Sequence, residues 1–135
     1  RAKGKNTFIF IDEIYLLFQH EYSANFLFTL WKRVRKYGAY CTGITQNVDD
    51  LLQSHTARTM LANSEFLIML NQASTDRIEL AKLLNISDLQ LSYITNVDAG
   101  HGLIKVGSSL VPFANKFPKN TKLYKLMTTK PGEGA

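Results

Sequence analysis

The stretch TFIFIDEIYLLF, residues 7–18, determines how the rest of the sequence is interpreted. Four apolar residues, Phe8 to Ile11, run directly into two carboxylates, Asp12 and Glu13. A short apolar run of this kind is typical of a strand that is buried on both faces of a parallel sheet. The acidic pair predicts that the end of this strand faces something other than the core.

The composition is that of a globular domain and excludes several other classes of protein. The 135 residues amount to about one domain, and 45% of them are apolar, enough to fill a core. The single cysteine, Cys41, excludes an internal disulfide framework and a multi-cysteine metal site, and it fits a reducing compartment. No apolar run approaches the roughly 18 residues that a membrane span needs. The chain begins at Arg1 with no visible signal peptide, so we expect it to be a piece of a longer protein.

The charge is mildly basic. The formal net charge is +5, from 16 basic and 11 acidic residues. Much of the positive charge lies in residues 32–36 and 116–130, where it could favour an anionic partner.

Strand and helix patterns alternate along most of the chain. Predicted strands at 7–11, 39–45 and 65–70 are separated by helical patterns, the first of which begins at Ser23 and ends at Gly38. This alternation predicts an α/β fold in which helices cover a parallel sheet. The other predicted helix caps are Asn47, Ser74 and Ser87, the last in a capping box with Gln90.

The C-terminal part of the sequence has a different pattern. GLIKV and LVPF, separated by GSS, predict a β-hairpin, and Pro112 marks its second strand as an edge. KLYKLM, 122–127, fits a strand or a helix. Residues 1–127 show no boundary and are predicted to form one domain, and TTKPGEGA, 128–135, is predicted to be a disordered tail.

Polar side chains follow each of the three predicted strands. Asp12 and Glu13 follow the first strand, Thr45 and Gln46 the second, and Asn71 and Gln72 the third. In open α/β sheets, ligands bind beyond the carboxyl ends of the parallel strands. The sequence therefore predicts a ligand site at this rim of the sheet.

An apolar strand that ends in Asp-Glu has the form of a Walker B element. In such an element the aspartate holds Mg²⁺, which neutralises phosphate charge, and the glutamate polarises the water that attacks the γ-phosphate. Asp12 is therefore the candidate metal ligand and Glu13 the candidate catalytic base. The alternative is a strand that ends in an ordinary acidic turn.

The stretch GITQN, 43–47, strengthens the catalytic interpretation. A Gln at the end of the next strand can hydrogen-bond both the γ-phosphate and the attacking water, as a sensor does in P-loop ATPases of the RecA and FtsK type. Gln46 taken alone would more simply be a loop residue. Its spacing from Asp12 and Glu13 favours the sensor.

Two arginines are candidates for an arginine finger, which stabilises charge in phosphoryl transfer and often acts across a subunit interface. Arg35 lies at the end of the first long helix, where a cation also suits the helix dipole. Arg77 lies in the first turn of a later helix, where a cation interacts unfavourably with the helix dipole. It is therefore predicted to pair with an anion or with the neighbouring Asp76. Both alternatives stay open for each residue.

A Walker A motif, G-x-x-x-x-G-K-[ST], is absent from the 135 residues. Gly4-Lys5 lacks the preceding glycine and the following Ser or Thr. Without that motif there is no backbone cradle and no lysine for the β- and γ-phosphates. The three histidines, at 20, 55 and 101, show no metal-ligand spacing.

Together these pieces resemble the C-terminal part of the VirB/TraC/TraE-type ATPases of type IV secretion and conjugation systems. The sequence is most similar to the versions that Gram-positive conjugative elements carry. The likeness covers roughly residues 7–131. It rests on the order of five stretches: FIFIDEIYLLF, RVRKYGAYCTGITQNVDDLL, MLANSEFLIMLNQASTDRIELAKLLNIS, GHGLIKVGSSLVPFANKFP and LYKLMTTKP.

The resemblance implies an incomplete RecA-like P-loop core of the HerA/FtsK group, with ATP and Mg²⁺ as cofactors. It implies Asp12 and Glu13 as Walker B, Gln46 as sensor, and Arg35 before Arg77 as finger. It also implies a cytoplasmic motor at the inner face of a bacterial membrane, often hexameric, working with other channel components and possibly DNA. The missing Walker A predicts that this chain alone is inactive.

Two other functions remain open at this stage. One is a DNA-translocating motor of the broader FtsK/HerA group, which basic loops facing a hexamer pore would favour. The other is a non-catalytic interaction module built on an α/β scaffold.

Overall fold

The computed structural model describes residues 5–72 and 74–133, excluding the side chains of residues 74 and 75. The polar lead-in at 1–4, the predicted capping side chain of Ser74 and the last two residues of the predicted tail lie outside the described part. The chain divides into two compact units. The first comprises Arg1–Glu65 and Ser74–Ile86, and the second Phe66–Ala73 and Ser87–Ala135.

The first unit is built on a parallel pair of strands. β1 (Thr7–Ile11) and β2 (Ala39–Gly43) pair in register from Thr7 opposite Ala39 to Ile11 opposite Gly43. This pairing and its flanking helices confirm the predicted α/β class. The helical elements of the unit are a 3₁₀ turn at Ile14–Phe18, α1 (Glu21–Arg33), a 3₁₀ turn at Val34–Tyr37, α2 (Val48–Gln53), α3 (His55–Ala62) and α4 (Ser74–Leu84).

The core of the first unit lies on one face of β1. Ile11 and Trp31 pack against a buried cluster formed by Ile14, Leu27, Leu51, Ala57 and Met60. The opposite face of the strand is exposed, with Phe8 63% and Phe10 68% accessible. The expectation that this strand is buried on both faces is therefore wrong within the described chain, because β1 and β2 are covered on one side only. Phe8 instead stacks on Tyr40, with ring centroids 5.2 Å apart.

Local capping chemistry sets most of the helix ends. Gly38 ends the first helical segment at φ 70°, as predicted. Asn47 caps α2 by accepting a hydrogen bond from the Asp50 amide at 3.2 Å. The pattern VDDLLQSHTARTMLAN after Asn47 predicts one helical element, but Ser54 caps a second helix, so the region forms α2 and α3. The prediction of Ser23 as the N-cap of the first helix is wrong, because α1 begins at Glu21 with His20 at its N-cap position.

The second unit contains an antiparallel sheet with the order β3-β4-β5. The predicted hairpin is confirmed, and Pro112 lies on the edge strand. β3 pairs antiparallel with β4. Asn71 and Gln72, which follow β3, make hydrogen bonds within the second unit. Asn71 Oδ1 accepts from the Val97 amide at 3.4 Å, and the Gln72 amide donates to the Ile94 carbonyl at 2.9 Å. The elements are β3 (Phe66–Met69), α5 (Asp88–Leu91), a 3₁₀ turn at Ser92–Ile94, β4 (His101–Val106), β5 (Ser109–Ala114) and α6 (Lys122–Met127).

Two further features concern the helices. No helix within residues 5–72 and 74–133 is long and apolar enough to cross a bilayer. The Ser87–Gln90 capping box predicted at the start of α5 is present.

The Glu133 carboxylate accepts hydrogen bonds from the Tyr124 hydroxyl and from Lys119 Nζ, the latter at 2.9 Å. Disorder of residues 128–135 stays a prediction.

Candidate active site

The carboxyl ends of β1 and β2 lie side by side, as the parallel register requires. The Ile44 amide donates to the Ile11 carbonyl at 2.8 Å, and the Ile14 amide donates to the Ile44 carbonyl at 3.0 Å. These bonds extend the strand pairing past its last residues. They bring the segment after Ile11 against the segment after Gly43, so two of the predicted polar pairs meet at one edge.

Glu13 has a left-handed backbone, with φ 49° and ψ 44°. For a non-glycine residue this conformation costs on the order of 1–2 kcal/mol. It lets the chain turn sharply enough for the Ile14 amide to reach β2. Strain of this kind is concentrated at functional sites, so the turn at Glu13 is an independent indication of function.

Gly43 makes room for the residue that anchors this turn. A Cβ added at Gly43 would lie 2.6 Å from Ile14 Cδ1 and 3.4 Å from the Trp31 ring. Ile14 is 5% exposed and belongs to the core. The absent side chain of Gly43 therefore allows Ile14 to pack deeply, and Ile14 fixes the position of Glu13 beside it. This supporting contact was not predicted from the sequence, although the glycine that ends β2 is a visible signal.

The side chains of Glu13 and Gln46 are in direct contact. Gln46 Nε2 donates a hydrogen bond to Glu13 Oε1 at 2.9 Å. Glu13 Oε2 is buried and has no hydrogen-bond partner among the residues that the structure describes. A buried acceptor without a partner typically costs about 1–3 kcal/mol, so this oxygen is poised to accept a donor such as water. One carboxylate oxygen is thus held in place while the other remains available.

The loop that carries Gln46 is tied to the start of α2. Thr45 Oγ1 accepts from the Asn47 amide at 3.1 Å and donates to the Asn47 carbonyl at 3.3 Å. Asn47 in turn caps α2. Gln46 therefore lies between two fixed residues, which limits how its carboxamide can move relative to Glu13.

Asp12 is exposed, as is Gln46, whereas Glu13 is half-buried. Asp12 Oδ1 accepts a hydrogen bond from the Glu13 amide at 3.0 Å. In phosphoryl-transfer sites Mg²⁺ takes one or two carboxylates together with phosphate oxygens and water. One exposed carboxylate beside Glu13 fits that requirement. The part of the chain that is described contains no group of three or more His, Cys, Asp and Glu that could hold an ion by itself.

The candidate arginine Arg35 lies at the other end of β2 from this contact. Arg35 belongs to the 3₁₀ turn that precedes β2, whereas Gln46 follows β2. A five-residue strand separates the two ends by about 15 Å, so Arg35 does not reach Glu13 in the same chain. Arg77 is half-buried near the start of α4, and its role stays a prediction.

At the edge that carries the site, Asp12 and Gln46 are exposed to solvent and Glu13 is half-buried. Two shallow depressions of the first unit lie elsewhere, and neither is lined by these residues. One depression is lined by residues such as Tyr15 and Asp50, and the other by residues such as His55 and Arg58. The described site is a polar edge rather than a closed cavity.

Comparisons with known proteins identify the family and the fold. A family model described as the TraG P-loop domain matches residues 1–105. The solved structure of VirB4 of Thermoanaerobacter pseudethanolicus is similar, with a TM-score of 0.78 and 26% sequence identity over 89% of this chain. The chain covers 34% of that structure, about a third of its length. No curated protein sequence matches.

Proposed function

Since this chain belongs to the TraG P-loop domain family of type IV secretion and conjugation ATPases, we propose that residues 1–127 form the C-terminal part of a nucleotide-binding domain that hydrolyses ATP. The domain would be completed by a Walker A segment in a longer protein. The observation that carries this proposal is the contact between Glu13 and Gln46 beside Asp12.

The proposed catalytic residue is Glu13. Its Oε1 is held by Gln46, and its Oε2 is available to accept a proton from the attacking water. Gln46 positions this carboxylate and, in the proposed sensor role, contacts the γ-phosphate. Asp12 would hold Mg²⁺, which neutralises phosphate charge when it is bound with ATP.

The proposed setting follows from the family. The longer protein would act as a homo-oligomer, a hexamer by the family resemblance, together with other components of a secretion channel. It would work at the cytoplasmic face of a bacterial membrane and power assembly of the channel or transfer of its substrate, including DNA.

The decisive experiment compares Glu13→Gln with Glu65→Gln in the longer protein. Glu65 is an exposed glutamate of the same unit and serves as the matched control. We expect Glu13→Gln to lower kcat by about 10²-fold or more and to spare nucleotide binding, because only the water-activating carboxylate is lost. If Glu13→Gln leaves both ATPase activity and transfer at the level of the control, the chain is a non-catalytic module and the proposal is wrong.

A further inference from the structure

Helix α6 presents an exposed apolar surface. Leu123, Leu126 and Met127 are 56%, 64% and 73% accessible. At 100° per residue they fall within an arc of about 100° on one side of the helix. Tyr124 points elsewhere, because it is half-buried and its ring stacks on Phe117 with centroids 6.4 Å apart.

The same segment carries a strong excess of positive charge. Residues 115–133 contain five lysines and one acidic residue, Glu133, a formal excess of four positive charges. Two of the lysines lie on α6 within one turn of Leu126, and the others precede or follow the helix. We call the combined patch the lysine–leucine surface; it consists of Lys116, Lys119, Lys122, Lys125, Lys130, Leu123, Leu126 and Met127.

We propose that the lysine–leucine surface docks on a bilayer that contains anionic phospholipid. The lysines would face the headgroups, and the leucines and the methionine would enter the boundary between headgroups and acyl chains. Near an anionic membrane each lysine strengthens binding about fivefold. Three aliphatic side chains and a formal excess of four positive charges fit a reversible, peripheral attachment.

The observations favour a lipid surface over a nucleic acid. Nucleic acids offer phosphates to lysine and stacked bases to aromatic rings. Tyr124, the aromatic residue of α6, is already stacked on Phe117 and bonded to Glu133. The exposed apolar side chains of the helix are aliphatic, and acyl chains match them whereas a phosphate backbone does not.

The lysine–leucine surface would hold the protein at its proposed membrane location. This role is independent of the ATPase reaction. Its test contains no nucleotide, so its failure and the failure of the proposed function are distinguishable. The purified 135-residue chain is sedimented with vesicles of phosphatidylcholine alone, or of phosphatidylcholine and phosphatidylglycerol in equal parts. We expect binding to the anionic vesicles only, weakened by salt.

Two matched pairs of variants locate the surface. Lys122→Gln with Lys125→Gln should lower partitioning onto anionic vesicles about tenfold or more, whereas Lys32→Gln with Lys82→Gln, which removes the same charge elsewhere, should not. Leu126→Gln should lower it severalfold, whereas Leu89→Gln, at a leucine 74% exposed, should not.

Three outcomes would overturn the inference. One is equal loss of binding in a variant and its control, and another is equal binding to neutral and anionic vesicles. The third is salt-sensitive binding to a short DNA duplex, lost with the α6 lysines, in the absence of vesicle binding. Circular dichroism of each variant checks that these exposed substitutions leave the fold unchanged.

Discussion

The carboxamide of Gln46 donates a hydrogen bond to the carboxylate of Glu13 at 2.9 Å, although the two residues are 33 positions apart in the sequence. The contact exists because β1 and β2 are parallel and in register, so their carboxyl ends coincide. It restrains one oxygen of the carboxylate, and the other oxygen is buried with no hydrogen-bond partner in the described part of the chain. This is the geometry that a base needs in order to meet a water molecule in one orientation.

Loss of the Gln46 carboxamide should therefore slow hydrolysis more than it weakens binding. In the longer protein we expect Gln46→Ala to lower kcat roughly tenfold or more with a small change in nucleotide affinity, because misplacing a reacting group is costly. Gln46→Asn should behave similarly, since its shorter side chain does not reach Oε1. Steady-state ATPase assays with nucleotide titrations measure both quantities.

The control for Gln46 is Gln53→Ala. Gln53 is an exposed glutamine of α2, outside the Glu13 contact. If Gln46→Ala and Gln53→Ala have the same kcat as the unmodified protein, the contact does not assist the reaction.

Glu13 should also reduce the stability of the chain. Glu13→Gly removes a left-handed non-glycine residue and a buried oxygen without a partner, and it loses one hydrogen bond. We expect the free energy of unfolding to rise by about 1 kcal/mol, because the two relieved costs exceed the lost bond. Denaturant unfolding of the 135-residue chain measures the change.

Asn85→Gly is the matched control for this stability effect. Asn85 has φ 54° and lies in the same unit, but asparagine tolerates the left-handed region. Its substitution should give a smaller gain than Glu13→Gly. A loss of stability in Glu13→Gly would mean that the turn is not strained.

The 135-residue chain alone should show no Mg²⁺-dependent ATP turnover, because its sequence contains no Walker A motif. A phosphate-release assay on the purified chain tests this. Turnover that Glu13→Gln abolishes and Glu65→Gln retains would contradict the prediction and would place a complete site within these residues.

Local sequence patterns predicted the parts of the site that depend on neighbouring residues. The apolar run that ends at Asp12 and Glu13 predicted β1, and the polar pair after β2 predicted where Gln46 would lie. The capping residues Asn47 and Ser87 were predictable for the same reason, because a side chain bonds an amide three residues away.

Features that depend on distant pairing were not predictable from the sequence. The left-handed turn at Glu13 arises because Ile14 must reach Ile44, and that requirement exists only once β1 and β2 are paired. Exposure of Phe8 and Phe10 was missed because their spacing cannot distinguish a covered face from an uncovered one. The antiparallel pairing of β3 with β4 likewise depends on tertiary contacts between residues that are far apart in the sequence.

The contact at the C-terminal end predicts a response to pH. The hydrogen bond from the Tyr124 hydroxyl, and then that from Lys119, lowers the pKa of Glu133 below its ordinary value of 4.5. The stabilisation by Glu133 is therefore present above about pH 4.5 and is lost as the pH falls through the lowered pKa. The bond to Glu133 also raises the pKa of Lys119 above 10.5, so that contribution is complete below pH 10.5 and is lost as the pH rises through the raised pKa.

NMR titration of the Glu133 carboxyl carbon measures the acid limb directly. Tyr124→Phe should raise the titration midpoint of Glu133 towards 4.5, because it removes the first cause of the lowered pKa. Tyr93→Phe, at an exposed tyrosine of the same unit, should leave the midpoint unchanged. An identical midpoint in all three proteins would show that Tyr124 does not bond Glu133 in solution.

Arg35 lies about 15 Å from the Glu13 edge along β2, which favours action on a transferred phosphate in a neighbouring subunit. If it is a finger, Arg35→Ala in the longer protein should lower kcat by up to about 10³-fold with little effect on folding or ATP affinity. If it only completes the helix end, the substitution should cost under about 1 kcal/mol of stability and leave kcat unchanged. Arg33→Ala, at the exposed last residue of α1, is the control.

Mixing subunits distinguishes action between subunits from action within one. Arg35→Ala subunits retain Glu13, and Glu13→Gln subunits retain Arg35, so some interfaces of a mixed oligomer contain both intact groups. Recovery of ATPase activity on mixing supports Arg35 as a finger supplied in trans. Absence of recovery, with mixed oligomers verified by native mass spectrometry, would reject that role and make Arg77 the finger to test by the same mixing.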